Sequence, residues 1–248
     1  MNHPPCEQVS AGRIAHDAVA LGIALCRDAI DGERLDKEIE TFIRDESGTP
    51  ALKGYQPGFS KKPYLHTICL ALDKEAVHGP PVKQVSPDKL ITIDLVVELE
   101  GWHADTARTF SHSGDPARIQ FAEASRLIHD LALDAIGPQQ CMSLYGSMVE
   151  LGAKTQGYAI IEKFCGHGIG RSIHEAPQVL NYFTPTTELF RVGRAYAVEP
   201  VIAYQSDFQL GDGPDGWTIQ TDCMSSHNED TVFITEHGAL NLTGGKDE

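Results

Sequence analysis

Apolar residues recur at helical spacing through 7–31, at Val9, Ile14, Val19, Ile23, Leu25 and Ile30, and predict a first helix that Asp31-Gly32 ends. A shorter helix is expected over about 33–44, with Leu35, Ile39 and Ile43 on one face. The stretch 47–63 is rich in Gly, Pro and Lys and reads as loop. β-Branched runs predict strands at 67–72 and 90–97, and Gly101 turns the chain into a third strand over 104–110. Pro116 opens a long helix to about residue 135, stopped by Gly137-Pro138, and another helix covers about 144–155. Short strands follow at 158–162, 195–203, 217–221 and 231–235. Two helices then strands, twice over, with no linker or low-complexity segment between, is an α+β pattern in a single domain, 1–248.

Polar residues break this pattern where it is most apolar. Asp94 stands inside Leu-Ile-Thr-Ile-Asp-Leu-Val-Val, and Asp105 lies in the next strand. Glu199 has Ala-Tyr-Ala-Val before it and Pro-Val-Ile after it, and Glu229 sits at the entry to the last long strand. A buried carboxylate is costly unless it is paired or binds metal. One such acid is ordinarily a cap, a buried ion pair or an edge residue; four in apolar strands weaken that reading. His167 lies between glycines in Cys165-Gly-His-Gly-Ile-Gly170, which lets backbone approach on both sides. His174 follows shortly after, and His78 sits at a turn before the Asp94 strand. Arg171 occupies the place where a dinucleotide fingerprint needs glycine, and there is no GxSxG, HExxH or P-loop.

Charge narrows the choice of partner. Lys and Arg total 20 against 35 Asp and Glu, a formal net charge of −15. Such a chain lacks the basic face of a general nucleic-acid binder and is repelled by anionic lipid. The six cysteines have no CxxC spacing and read as free thiols of a reducing compartment. The first residues lack a basic start followed by an apolar core, and 18–26 is too short to span a bilayer, so a cytoplasmic protein without a membrane anchor is expected.

The residues together resemble the methionine aminopeptidases, pita-bread-fold metallopeptidases that remove initiator methionine. The matching pieces run in the family's order: His78-Gly-x-Pro, Ile93-Asp94, Gly101-x-His-x-Asp105-Thr, Cys165-Gly-His-Gly-Ile-Gly170, His174-Glu-x-Pro177, Glu199-Pro200, Asp215-Gly-Trp-Thr218 and Glu229-x-Thr231. The interval from His174 to Glu199 leaves no room for the helical insertion of the type 2 enzymes, and no N-terminal zinc-finger extension is seen, so the chain looks like a short type 1 enzyme. The resemblance implies two pseudo-symmetric halves whose helices cover a curved antiparallel sheet. It implies two divalent ions (Co, Mn, Fe or Zn) held by Asp94, Asp105, His167, Glu199 and Glu229, with Asp105 and Glu229 bridging. A hydroxide shared by the ions would attack the methionine carbonyl, with Glu199 as base, His174 on the carbonyl oxygen and His78 on the scissile nitrogen. Four negative charges against two dications leave such a site near neutral.

The resemblance also implies a methionine pocket from Tyr55, Cys69 and Trp217. The expected partner is a peptide or nascent-protein N-terminus, met transiently near the ribosome by a monomer. This chain departs from the family at Ile173, commonly aromatic, at Asp230, usually His, and in a longer segment between Tyr55 and Cys69. Asp230 is expected to add an acid beside the metals, loosening them or forming a bond to a ligand. The rival readings are a Xaa-Pro aminopeptidase, which shares the ligand set, and a non-catalytic pita-bread binding protein, which would have lost ligands.

Overall fold

The computed structural model describes residues 3–58, 60 and 62–244. The first half runs α1 (Cys6–Leu25), β1 (Ile30–Asp31), α2 (Gly32–Asp45), β2 (Thr49–Pro50), β3 (Ile68–Leu72), β4 (Glu75–Val77), β5 (Gln84–Val85), β6 (Leu90–Leu99) and β7 (Trp102–Ser111). The second half repeats the order: α3 (Pro116–Leu133), α4 (Met142–Thr155), β8 (Ala159–Ile160), β9 (Gly166–Ile169), β10 (Glu175–Val179), β11 (Ala195–Val198) and β12 (Val201–Ala203). It closes with β13 (Leu210–Asp212), β14 (Ile219–Thr221), β15 (Ser225–His227), β16 (Asp230–Ile234) and β17 (Ala239–Asn241).

The first helix stops six residues before Asp31, which starts the next helix instead of ending the first. Its carboxylate accepts from the backbone N–H groups of Glu33 and Arg34 at 3.1 and 3.2 Å, an N-cap that satisfies two of the orphan donors of α2. Ile30 and Asp31 then pair with β5. The expected strand over 195–203 is two strands in different sheets, because Pro200 lacks an N–H to continue the ladder.

In the first half β6 pairs antiparallel with β2, β3 and β7; in the second, β10, β9, β11, β16 and β17 form one antiparallel sheet. The isolated bridge Ala107–Glu229 joins β7 to the second half. Strand alternation decides which residues meet the helices. Ile91, Ile93, Leu95 and Val97 of β6 pack on Ile14, Val19, Leu35 and Ile39 of α1 and α2. Tyr196, Val198, Val232 and Ile234 share the other core with Phe121, Ile128, Tyr145 and Val149 of α3 and α4. The intervening positions, Asp94 on β6 and Ala197 and Thr231 on β11 and β16, therefore face away from the helices, toward the side where the acids gather. No helix among the described residues is long and apolar enough to cross a membrane.

Candidate metal centre

The register of the strands brings the acids together. Asp94 pairs with Ala107 and Asp105 with Val96, so the two aspartates are diagonal neighbours on one face of the hairpin. Ala107 exchanges backbone hydrogen bonds with Glu229 (3.3 and 2.9 Å), which sets Glu229 one same-face step from Asp105. Ala197 pairs with His167 on one side and Thr231 on the other. Two residues on from Ala197 is Glu199, and two before Thr231 is Glu229, so both carboxylates emerge on the His167 face. Thr231 locks the arrangement: its Oγ1 accepts from the Asp105 N–H at 2.8 Å and donates to the Asp105 carbonyl at 2.9 Å.

The glycines around His167 are there because strands press against them. A Cβ on Gly166 would lie 2.2 Å from the Ala197 carbonyl oxygen, and one on Gly168 2.5 Å from that of Ala176. His167 Nδ1 is 3.0 Å from the Gly168 carbonyl, so that nitrogen carries the proton and Nε2 offers its lone pair to the centre. Nε2 is 3.3 Å from Glu199 Oε1 and 3.9 Å from Asp105 Oδ2. The donor atoms of Asp105, His167 and Glu229 lie within 4.8 Å of one another. Asp94 stands beside this trio, with Cys69 opposite it on β3.

Buried carboxylates this close cannot all ionise. Burial drives Asp105 well above the usual range, reinforced by Asp94 and Glu199. It does the same to Glu229, reinforced by Asp105, Glu199 and Asp94. Burial pushes Glu199 up to about 7, opposed by His167. It pushes Asp94 up to about 6, opposed by His227 and increased by Glu199. Asp105 Oδ1 and Glu229 Oε1 are buried with no hydrogen-bond partner, a need that cations would meet. The donor set, oxygen-rich with imidazole, suits divalent transition ions.

A raised carboxyl keeps a proton in the folded chain that the unfolded chain has lost. Between about pH 4 and pH 7 the metal-free protein therefore loses stability as pH rises. A bound dication displaces those protons. Titration calorimetry in buffers of different ionisation heat should record more protons released by metal at about pH 6 than at about pH 8. Equal release at both would contradict the raised carboxyls.

His174, His78, Tyr55 and Cys69 lie around this centre, and Trp217 lies farther out, against Tyr64. His174 lies against His167 with ring centroids 4.3 Å apart and planes tilted by 60°, and its Nδ1 is 2.7 Å from the Tyr55 hydroxyl. His78 has φ +62°, lies edge-on to Phe164, and burial lowers it to about 4, keeping the ring neutral. Cys69 is buried against Asp94. Trp217 meets the edge of Tyr64 at 5.0 Å, and Tyr64 donates to the Ile68 carbonyl at 2.8 Å. Tyr64, which the sequence reading does not single out, is thus a buried neighbour of Trp217. Ile173 is buried, and in the segment after Tyr55 the residues Phe59 and Lys61 lie outside the described residues.

Asp230 does not add a free acid to the centre. It alternates with Glu229 and so points to the helix side, fully buried. Arg108 Nη2 reaches its Oδ1 at 2.5 Å, His129 Nε2 its Oδ2 at 2.9 Å, and Thr243 donates at 2.7 Å. Against the cost of burial, Arg108 and His129 hold this carboxyl far below the usual range. Arg108 also donates to the Glu229 carbonyl, which ties the ion pair to the backbone that carries a central acid. The other residue missed is His227, whose Nε2 is 3.5 Å from Glu199 Oε2 and 3.8 Å from Glu229 Oε2. Its signal was present: it precedes Glu229 by two residues, one strand repeat.

Known proteins share this architecture. The pattern of metallopeptidase family M24 matches residues 9–236. The chain is 28% identical over 247 residues to the methionine aminopeptidase of Escherichia coli (strain K12), covering 96% of this chain and 90% of that protein. It is 30% identical over 245 residues to methionine aminopeptidase 2 of Mycobacterium tuberculosis, covering 94% and 81%. The crystal structure of methionine aminopeptidase from Thermotoga maritima matches with a TM-score of 0.90 at 25% identity, over 98% of both chains. The prolidase from Pyrococcus furiosus shares the fold, with a TM-score of 0.73 at 22% identity over 97% of this chain and 64% of that one. The architecture is the pita-bread fold, and the chain belongs to metallopeptidase family M24, in which the relatives with the highest coverage named above are methionine aminopeptidases.

Proposed function

We propose that the chain, as one catalytic domain over 1–248, is a two-metal aminopeptidase that removes N-terminal methionine from peptides and nascent proteins in the cytoplasm. The observation that carries this reading is the set of four carboxylates around His167, with orphaned buried oxygens on Asp105 and Glu229, in a chain matched along its length by methionine aminopeptidases. Asp94, Asp105 and Glu229 would hold one divalent ion and Asp105, His167, Glu199 and Glu229 the other; Co, Mn, Fe and Zn all fit such donors. Bound there, the ions supply Lewis acidity and lower the pKa of water from ~15.7 toward ~7.

The side chains divide the remaining work. Glu199 accepts the proton of the attacking water at a carboxylate oxygen. His174, oriented by the Tyr55 hydroxyl, donates to the carbonyl oxygen as negative charge develops there. Glu199 then returns the water's proton to the scissile nitrogen as the C–N bond breaks, and His78, in contact with that nitrogen, helps the new amine leave. Cys69, Trp217 and Tyr55, with Tyr64 behind Trp217, form the wall of the methionine pocket. The chain works as a monomer on a free N-terminus, with transient proximity to the ribosome.

A peptide panel tests substrate class. Met-Ala-Ser should release methionine, and Ala-Pro peptides should not be cut. Cleavage confined to Xaa-Pro peptides would transfer the chain to the prolidase-like reading, and cleavage of neither would favour a binding protein.

A further inference from the structure

His227 ends β15 and is 3% exposed, yet both of its ring nitrogens are buried without a hydrogen-bond partner. Its place is set by backbone and not by the ring. The His227 N–H donates to Thr109 Oγ1 at 2.8 Å, Thr109 Oγ1 donates back to the His227 carbonyl at 2.9 Å, and Val201 pairs with it across β12. These clamps hold Nε2 at 3.5 Å from Glu199 Oε2 and 3.8 Å from Glu229 Oε2. The donor atoms of Glu199, His227 and Glu229 lie within 4.8 Å of one another, as do those of the trio built on His167. Glu199 thus stands between two imidazoles, with Oε1 toward His167 and Oε2 toward His227. A buried imidazole that no hydrogen bond satisfies needs another partner.

We propose that His227 is a sixth protein ligand of the metal centre, giving its Nε2 to an ion shared with Glu199 and Glu229. The inference rests on the two-ion reading above and extends its donor set to four carboxylates and two imidazoles. Imidazole favours Zn and Fe, while carboxylate and water suit Mn, so the second nitrogen shifts selectivity toward the former.

The test uses the full chain, stripped of metal and loaded with cobalt(II). Proton NMR counts the exchangeable, hyperfine-shifted N–H resonances of metal-bound imidazoles. Wild type should give two, and His227→Gln one. By calorimetry His227→Gln should weaken zinc by about 10-fold or more and manganese by less. A single imidazole resonance in wild type, which needs no variant to fold, would overturn the assignment while leaving two-ion binding intact. Unchanged zinc-to-manganese selectivity in a folded His227→Gln would do the same. Failure of wild type to take up cobalt would overturn the two-ion reading itself.

Discussion

Asp105→Asn should lose methionine release by more than about 100-fold, beyond the upper range for residues that merely orient a ligand. The bound metal should fall below one equivalent by elemental analysis. Asp105 is 5% exposed, its Oδ1 lacks a hydrogen-bond partner, Oδ2 faces His167, and an amide can still meet its bonds to the Thr106 N–H and the Glu229 carboxyl. Stability should move the other way. Burial, Asp94 and Glu199 raise the Asp105 carboxyl well above the usual range, so its ionisation costs the metal-free fold progressively as pH rises above about 4. Asn cannot ionise, and at about pH 8 the metal-free variant should melt above metal-free wild type. Thermal unfolding with chelator checks this. A variant that is active with two tight ions would contradict a bridging role, and one that melts lower would contradict the clash of charges.

Arg108→Met should give the largest loss of stability. It leaves Asp230 fully buried without its cationic partner. Breaking a buried pair from one side costs about 3–5 kcal/mol. For a chain of this length each kcal/mol moves the melting temperature by ~2–4 °C, so a fall of roughly 6–20 °C is expected. The pair contributes through a depressed Asp230 carboxyl, so its stabilisation is full above the ordinary value of 3.8 and fades as pH falls below it. Adding Asp230→Leu to Arg108→Met should recover part of the loss, because no charge is then left unpaired. A single variant as stable as wild type at neutral pH would show that Arg108 is not the compensating charge.

The acids could be read from the sequence because β6 and β11 are apolar enough for a carboxylate to stand out. The hairpin at Gly101 and the helix at Pro116 carry local turn and cap signals, which need no tertiary context. Asp31-Gly32 misled because Asp is both a turn residue and an N-cap, and only its bonds to Glu33 and Arg34 tell the two apart. β9 and β15 are short and rich in Gly, Ser or His, and exist through pairing with β11 and β12, more than 20 residues away. His227 was passed over for that reason. Asp230 adjoins Glu229 in sequence but not in space, because neighbours in a strand face opposite ways, and its bonds to Arg108 and His129 show the direction.

The most direct test of the central claim is free methionine released from Met-Ala-Ser by one preparation of the chain, assayed as purified, after exhaustive chelation, and after addition of Co, Mn, Fe or Zn singly. The account predicts no release from the chelated protein and recovery with at least one of the ions. Release at an undiminished rate from metal-free protein, or none with any ion, would contradict it.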